Sequence, residues 1–254
     1  MGVDAAELKK QAAAYAVDLV QSGMIVGLGH GSTAIHVVGM LAEKMKTGQL
    51  KDVIGVPSSY QVEEEAMRYG MPLSALDENP TIDLTIDGAD EVDPQLNLIK
   101  GGGGALLREK VVASVTKKIV VVSDSTKIVP ALGKFPLPVE IIPFARTVIE
   151  KKIASLGATT KLRMRPDGQP FVTDNGNQIL DCSFGRIADP PALARELNST
   201  PGVVEHGLFI GLAMLALVGK GSAVVEVRPK ATRPKSARSK PAPRKRPVSK
   251  RRKS

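Results

Sequence analysis

Residues 81–110 read Thr81-Ile-Asp-Leu-Thr-Ile-Asp87-Gly-Ala-Asp90-Glu-Val-Asp93-Pro-Gln-Leu-Asn-Leu-Ile-Lys100-Gly-Gly-Gly-Gly104-Ala-Leu-Leu-Arg-Glu109-Lys110. The first six residues alternate polar and apolar with the period of a half-buried strand, so Asp87 falls at a strand's carboxyl end. Ligands of open α/β sheets bind at that end. The four consecutive glycines remove every side chain from a short path, which lets backbone N–H groups approach a ligand and permits positive φ. The run from Ala105 to Ser114 then reads as a helix leaving the glycine turn, with Glu109 in its first turn or two.

Outward from this stretch, strands and helices alternate. Residues 5–21 predict an amphipathic helix, 24–29 a short apolar strand, 34–45 a helix, 51–56 a strand and the segment after Pro57 an acidic helix to Tyr69. A strand at 118–123 continues the series, which is the pattern of a Rossmann-like, wound, mostly parallel α/β sheet. The rhythm changes at the Pro-rich Gly133-Lys-Phe-Pro-Leu-Pro-Val-Glu140. Strands at 139–144, 159–165, 178–184 and 202–206, with helices at 146–156 and 190–198, give the split βαβ order of a smaller ferredoxin-like α+β domain. A final strand at 222–228 returns to the first sheet. The expected organisation is therefore an α/β domain over 1–129 and 207–228, an inserted α+β domain over 130–206 that also supplies an oligomer contact, and a tail over 229–254.

The tail accounts for the charge. The chain of 254 residues carries a net charge of +9, but 13 of its 35 Lys and Arg fall between Arg228 and Ser254, where no acid occurs. Residues 1–227 hold 22 basic and 26 acidic side chains and are mildly acidic. The tail is Lys, Arg, Pro, Ala and Ser with little to bury, and reads as disordered. It offers weak, salt-sensitive attraction to nucleic acid or another polyanion, or serves only as a solubilising extension. The single cysteine, Cys182, excludes an intramolecular disulfide framework and fits a reducing compartment. No apolar run approaches ~18 residues, and no signal-peptide h-region stands at the N-terminus. These readings predict a cytoplasmic protein with no membrane contact. His30, His36 and His206 lack a zinc-type spacing partner, so no metal site is expected.

Three strand ends offer glycines, hydroxyls or both: Gly29 to Thr33, Pro57-Ser58-Ser59, and Lys100 to Gly104. Unpaired amides and the dipole at a helix start favour an anion there. The spacing Gly27-x-Gly29-x-Gly31 is followed by Ser32, so it is not a dinucleotide fingerprint, and no Walker lysine follows. A phosphate monoester fits better than a nucleotide. Acids at 87, 90 and 109 beside Lys100 supply a carboxylate base, a cation for developing oxyanion charge and a second acid for hydroxyl protons. Such proton transfer requires no cofactor. Spacing alone also allows Asp87 to be a turn cap, Asp93 before Pro94 to be another, and Glu109, between Arg108 and Lys110, to be part of a solvated helix face.

The strings Asp87–Asp93, Lys100–Lys110, Gly133–Glu140, Thr173-Asp-Asn-Gly-Asn177 and Gly202-Val-Val-Glu205 resemble, in order, those of type A ribose-5-phosphate isomerases. The resemblance spans residues 5 to about 227. It implies aldose-ketose interconversion of ribose 5-phosphate and ribulose 5-phosphate through an enediolate, without metal, in the pentose phosphate pathway. Carried over residue by residue, it implies Glu109 as base, Asp87 and Lys100 as partners in ring opening and oxyanion stabilisation, and Asp90 as a sugar-hydroxyl ligand. Gly88 and Ala89 belong to the same loop, and Gly101, Gly102 and Gly103 match the substrate loop. Gly31, Ser32 and Thr33 match the segment near the phosphate, Lys127 a further substrate lysine, and Lys9 a weaker phosphate candidate. His30 stands where the family usually has Thr or Ser, either as an added phosphate donor strengthening below pH ~6.5 or as a tolerated swap that uses only its backbone N–H. A small phosphosugar substrate and a homo-oligomer, with a dimer favoured, complete the expectation. The alternative is a non-catalytic phosphosugar sensor whose tail attracts nucleic acid.

Overall fold

The computed structural model describes residues 5–220 and 223–229. Chain order is α1 (Ala5–Val17), β1 (Ile25–Leu28), α2 (Ser32–Lys46), β2 (Ile54–Pro57), α3 (Tyr60–Arg68), β3 (Ile82–Asp87), β4 (Glu91–Val92), β5 (Leu98–Ile99), α4 (Leu106–Ser114) and β6 (Thr116–Asp124). There follow β7 (Leu137–Ile141), α5 (Arg146–Ser155), β8 (Thr159–Leu162), β9 (Gln178–Ser183), α6 (Pro190–Asn198), β10 (Val203–His206), β11 (Leu208–Phe209), β12 (Leu215–Lys220) and β13 (Ala223–Val227).

Six strands form the main sheet in the order β13-β12-β6-β3-β1-β2. All its neighbours run parallel except the β12–β13 hairpin. Parallel strands covered on both faces are apolar throughout, and β1, β3 and β6 supply Leu28, Ile86 and Val120 to a core closed by Ala13, Val17, Val38 and Leu41 of α1 and α2. Ser59 starts α3 by accepting the Val62 N–H on its Oγ at 3.2 Å, satisfying one otherwise orphaned amide.

The smaller sheet has the order β10-β7-β9-β8, all antiparallel. With α5 and α6 between its strands, this is the split βαβ arrangement expected. Its own core joins Val139, Ile141, Ile149, Leu180 and Leu197.

The third sheet, β11-β5-β4, is absent from the sequence reading because its two-residue strands carry no period. Asp93 caps the β4–β5 turn, accepting the Gln95 and Asn97 N–H groups on Oδ1 at 2.8 Å each. Leu96 adopts φ 58° there.

Boundaries also differ. The final strand expected at 222–228 is β13, and before it the chain forms β12, parallel to β6, from a segment with no alternation to reveal it. The strand expected at 159–165 ends at Leu162, and the first helix ends at Val17. From residue 230 onward the basic tail lies outside the described residues. No helix among the described residues is long and apolar enough to cross a membrane.

Candidate active site

β1, β3 and β6 deliver their following loops to one edge of the main sheet. Asp87 closes β3 and is buried there because Gly29, at the end of β1, has no side chain. A Cβ on Gly29 would lie 2.1 Å from Asp87 Oδ1 and 2.6 Å from Asp87 Cα. The space vacated is used for hydrogen bonding, since Asp87 Oδ1 accepts the Gly88 N–H at 2.7 Å and the His30 N–H at 3.2 Å.

Lys100 follows β5, whose place is fixed by the Lys100 N–H to Gly207 carbonyl bond of 2.9 Å. Its ammonium spends all three donors inside the protein: 2.9 Å to Asp87 Oδ2, 3.0 Å to Glu109 Oε1 and 2.7 Å to the Gly88 carbonyl. Asp87, Lys100 and Glu109 are each 4% exposed. The glycine turn brings α4 in so that Glu109 faces inward, which removes the solvated-face reading. The Phe209 ring lies 5.6 Å from the Lys100 ammonium, an added cation–π contact.

Burial raises the Glu109 carboxyl to about 7, with the Lys100 charge opposing and the Asp87 charge reinforcing the rise. Burial acts on Lys100 in the opposite sense, but the two carboxylates beside it together prevail and hold its ammonium above the ordinary lysine range. Glu109 Oε2 is buried with no partner among the described residues. One oxygen of the carboxylate is thus anchored and the other is free to accept a proton.

A cavity of about 140 Å³ opens over this group. Every expected site residue lines it except Asp87, which stands behind it: His30, Gly31, Ser32 and Thr33 on one side, Gly88, Ala89 and Asp90 on another, Lys100 to Gly103 with Glu109, and Lys127. Lys9 lines it too, held 3.4 Å from Asp124. The start of α2, with Gly31 at φ 88°, presents the unpaired amides of an anion cradle. Two lysines flank the same space. Asp90 Oδ2 accepts the Gly102 N–H at 2.8 Å, tying the two halves of the 87–104 stretch together.

Two expectations change. Ser58 and Ser59 are not among the residues lining the cavity; Ser59 is spent on the α3 cap and on His30 Nδ1, 2.8 Å away. The His30 backbone N–H goes to Asp87, as above. Its ring lies against the glycine loop, since a Cβ on Gly103 would fall 2.4 Å from Nε2. Burial lowers the His30 pKa, Lys100 adds to this and Asp87 opposes it. The ring therefore stays neutral at more acid pH than free imidazole, and its place is between α3 and the glycine loop. His206 is a packing residue, buried, neutral and pushed down to about 3 by burial and by Lys110.

Sequence reasoning missed a supporting layer. Arg163, just past β8, donates from Nη1 to the carbonyls of Gly101 and Gly102 at 2.8 and 3.1 Å. Lys110, next to Glu109 on α4 but not lining the cavity, pairs with Glu205 of β10 at 2.6 Å. The motif Thr173–Asn177 is structural in these contacts: Thr173 and Asn177 both donate to Glu140 Oε1 at 2.9 Å, and Asp174 accepts the Tyr60 N–H at the start of α3. Such pairs lie 33–114 residues apart and no local pattern signals them.

Fold and site together define a wound α/β protein with a buried acid–lysine–acid group above an anion cradle. The sequence pattern of the family described as Ribose 5-phosphate isomerase A (phosphoriboisomerase A) matches residues 54–223. Ribose-5-phosphate isomerase A of Bradyrhizobium diazoefficiens is 53% identical over 234 residues, covering 87% of this chain and 96% of that protein. That of Agrobacterium fabrum is 54% identical over 221 residues, with 85% and 95% covered. A solved D-ribose-5-phosphate isomerase in complex with phospho-erythronic acid superposes with a TM-score of 0.87 at 41% identity, covering 89% of this chain and 100% of its own. The ribose 5-phosphate isomerase A of Methanocaldococcus jannaschii gives 0.84 at 40% identity, with 87% and 98% covered. The chain belongs to the ribose 5-phosphate isomerase A family.

Proposed function

We propose that this chain interconverts ribose 5-phosphate and ribulose 5-phosphate by proton transfer through an enediolate, with Glu109 as the base. The observation that carries the mechanism is the state of Glu109: one oxygen anchored on Lys100, the other unpartnered, and a carboxyl raised to about 7. A base of that strength accepts a proton from a carbon acid near neutral pH and returns it as readily. Glu109 takes the C2 proton of the open aldose, the C–H electron pair becomes the second C1–C2 bond, and the π pair of the C1 carbonyl moves onto its oxygen. Lys100, its three donors held by Asp87, Glu109 and the Gly88 carbonyl, stabilises that oxygen's charge through space, and Asp87, released from Lys100 as the sugar enters, moves the O2 proton to O1. The same carboxyl then delivers the proton to C1 as the C2 hydroxyl loses its own. The start of α2 with Lys9 and Lys127 holds the phosphate, and Asp90 a sugar hydroxyl. These steps move only protons between side chains and sugar, so EDTA-treated enzyme keeps its turnover. Incubation with ribose 5-phosphate in D₂O tests the reading: ketose carrying deuterium at the exchanging carbon is expected, and no ketose refutes it.

The organisation follows from the same reading. The main sheet and its loops, over 1–129 and 207–228, carry catalysis. The insert, 130–206, provides a dimer contact, supported by Phe144, 97% exposed, beside exposed Val148 and Ile142. Phe144→Glu, measured by sedimentation, yields monomer; an unchanged sedimentation coefficient refutes the contact. A lone buried Cys182 suits the cytoplasm. The basic tail attracts nucleic acid weakly, and chain truncated after residue 228 loses retention on a polyanion column while keeping its turnover.

A further inference from the structure

The glycine loop has little of its own to fix its shape. Its one internal hydrogen bond runs from the Gly104 N–H to the Gly101 carbonyl at 3.0 Å, and Gly101 and Gly104 sit at φ 99° and 94°. Four glycines in succession otherwise populate many conformations. Beyond the Asp90 bond to Gly102 and the His30 ring, what holds the loop comes from the side of the smaller sheet. Arg163 is itself fixed by Asp181 of β9, with Nε–H donating to Oδ2 at 3.0 Å and Nη2 to Oδ1. The remaining nitrogen, Nη1, reaches the carbonyls of both Gly101 and Gly102. Phe171 underlies the same loop, since a Cβ on Gly104 would lie 2.4 Å from its ring.

A trans peptide places its C=O and N–H on opposite sides. Drawing the Gly101 carbonyl toward Arg163 turns the Gly102 N–H away from it, onto Asp90 at 2.8 Å. Drawing the Gly102 carbonyl the same way turns the Gly103 N–H away as well. That N–H makes no hydrogen bond among the described residues, and Gly103 lines the cavity. We propose that Arg163 is a positioning residue, clamping two glycine carbonyls so that the Gly103 N–H is presented to an oxygen of the bound sugar phosphate. The guanidinium fork is needed for this, because one planar group must satisfy a carboxylate with two donors and two carbonyls with a third nitrogen. A lysine cannot do both.

This inference rests on the isomerase reading, and its test separates the two. Arg163→Ala and Arg163→Lys are compared with the parent in steady-state turnover of ribose 5-phosphate, with urea unfolding run alongside. In both variants KM rises about tenfold or more and kcat/KM falls about 10²-fold, the usual consequence of misplacing a binding group by about 1 Å. Millimolar guanidinium restores part of the loss in Arg163→Ala and none in Arg163→Lys. Parental KM in both variants, whether or not kcat falls, overturns the proposal. If the alanine variant does not fold, the lysine variant decides by the same criterion. If the parent itself fails to turn over ribose 5-phosphate, the isomerase reading falls, and calorimetric binding of phospho-erythronic acid decides for Arg163. Binding weaker by about tenfold in the variants sustains the clamp, and equal binding overturns it.

Discussion

Replacing Gly29 with alanine tests the packing on which the site depends. The added methyl carbon would stand 2.1 Å from Asp87 Oδ1, 2.3 Å from Cγ and 2.6 Å from Cα. Non-bonded carbons settle about 3.5–4.0 Å apart, so the shortfall against Asp87 Cα is roughly 1 Å. Rotating the aspartate side chain relieves the first two contacts but not the third, which is backbone. β1 and β3 are adjacent parallel strands in this sheet, so the strain is met by spreading them at their carboxyl ends. Asp87 then leaves its 2.9 Å contact with Lys100, whose buried ammonium keeps only Glu109 and the Gly88 carbonyl. Overpacking of this kind costs about 1–3 kcal/mol of stability, and a displacement of about 1 Å among reacting groups costs about 10²-fold in turnover. Gly48→Ala, away from the cavity, is the control. Nothing lies within 4 Å of a Cβ there, and the cost is the backbone strain of an L-residue at φ 74°, about 1–2 kcal/mol. The assay is ketose formation at saturating ribose 5-phosphate together with urea unfolding of parent and both variants. A Gly29→Ala protein with turnover within about threefold of the parent, well short of the expected loss, would refute the reasoning.

Glu109→Gln lowers kcat by roughly 10²- to 10⁴-fold with KM within a few-fold of the parent, as expected for loss of a general base; single-turnover measurement of ketose checks it. Because the Glu109 carboxyl is raised to about 7 and only its carboxylate accepts a proton, kcat/KM of the parent rises as pH climbs through about 7. It falls below that pH with the slope of one proton, a limb that a pH profile of Glu109→Gln lacks. Lys110→Met strands the Glu205 carboxylate, only 18% exposed, and the His206 carbonyl. It destabilises the protein by about 3–5 kcal/mol, and Glu205→Gln in the same chain recovers much of this in a urea double-mutant cycle.

The parts of this protein that sequence made legible are those whose signal is local. Alternation over Ile82–Ile86 placed Asp87 at a strand end, and a glycine run followed by an apolar helix placed Lys100 and Glu109 near one another. The burial of Glu109 was not legible, because Arg108 and Lys110 on either side imitate a solvent-facing helix; Lys110 is instead drawn across to Glu205, 95 residues away. β12 escaped because a strand buried on both faces has no alternation. Five of its six residues, Leu215–Gly219, are buried. Arg163 escaped for a different reason. Its partners in the glycine loop are two backbone carbonyls 61 and 62 residues earlier, and a backbone carbonyl has no residue type to recognise.

The small third sheet has a further bearing on how the molecule can be rebuilt. The Lys100 N–H bonds the Gly207 carbonyl, the Gly207 N–H bonds the Pro138 carbonyl at 2.7 Å, and a Cβ on Gly207 would lie 2.2 Å from the Lys100 oxygen. Gly207 is the hinge pin at which the chain leaves the smaller sheet. A chimaera that takes the strand holding Pro138 from a relative inherits foreign geometry at this pin, and with it a displaced lysine. The two halves of such an enzyme are therefore exchangeable only as a matched set, and the seam for recombination lies outside Gly207.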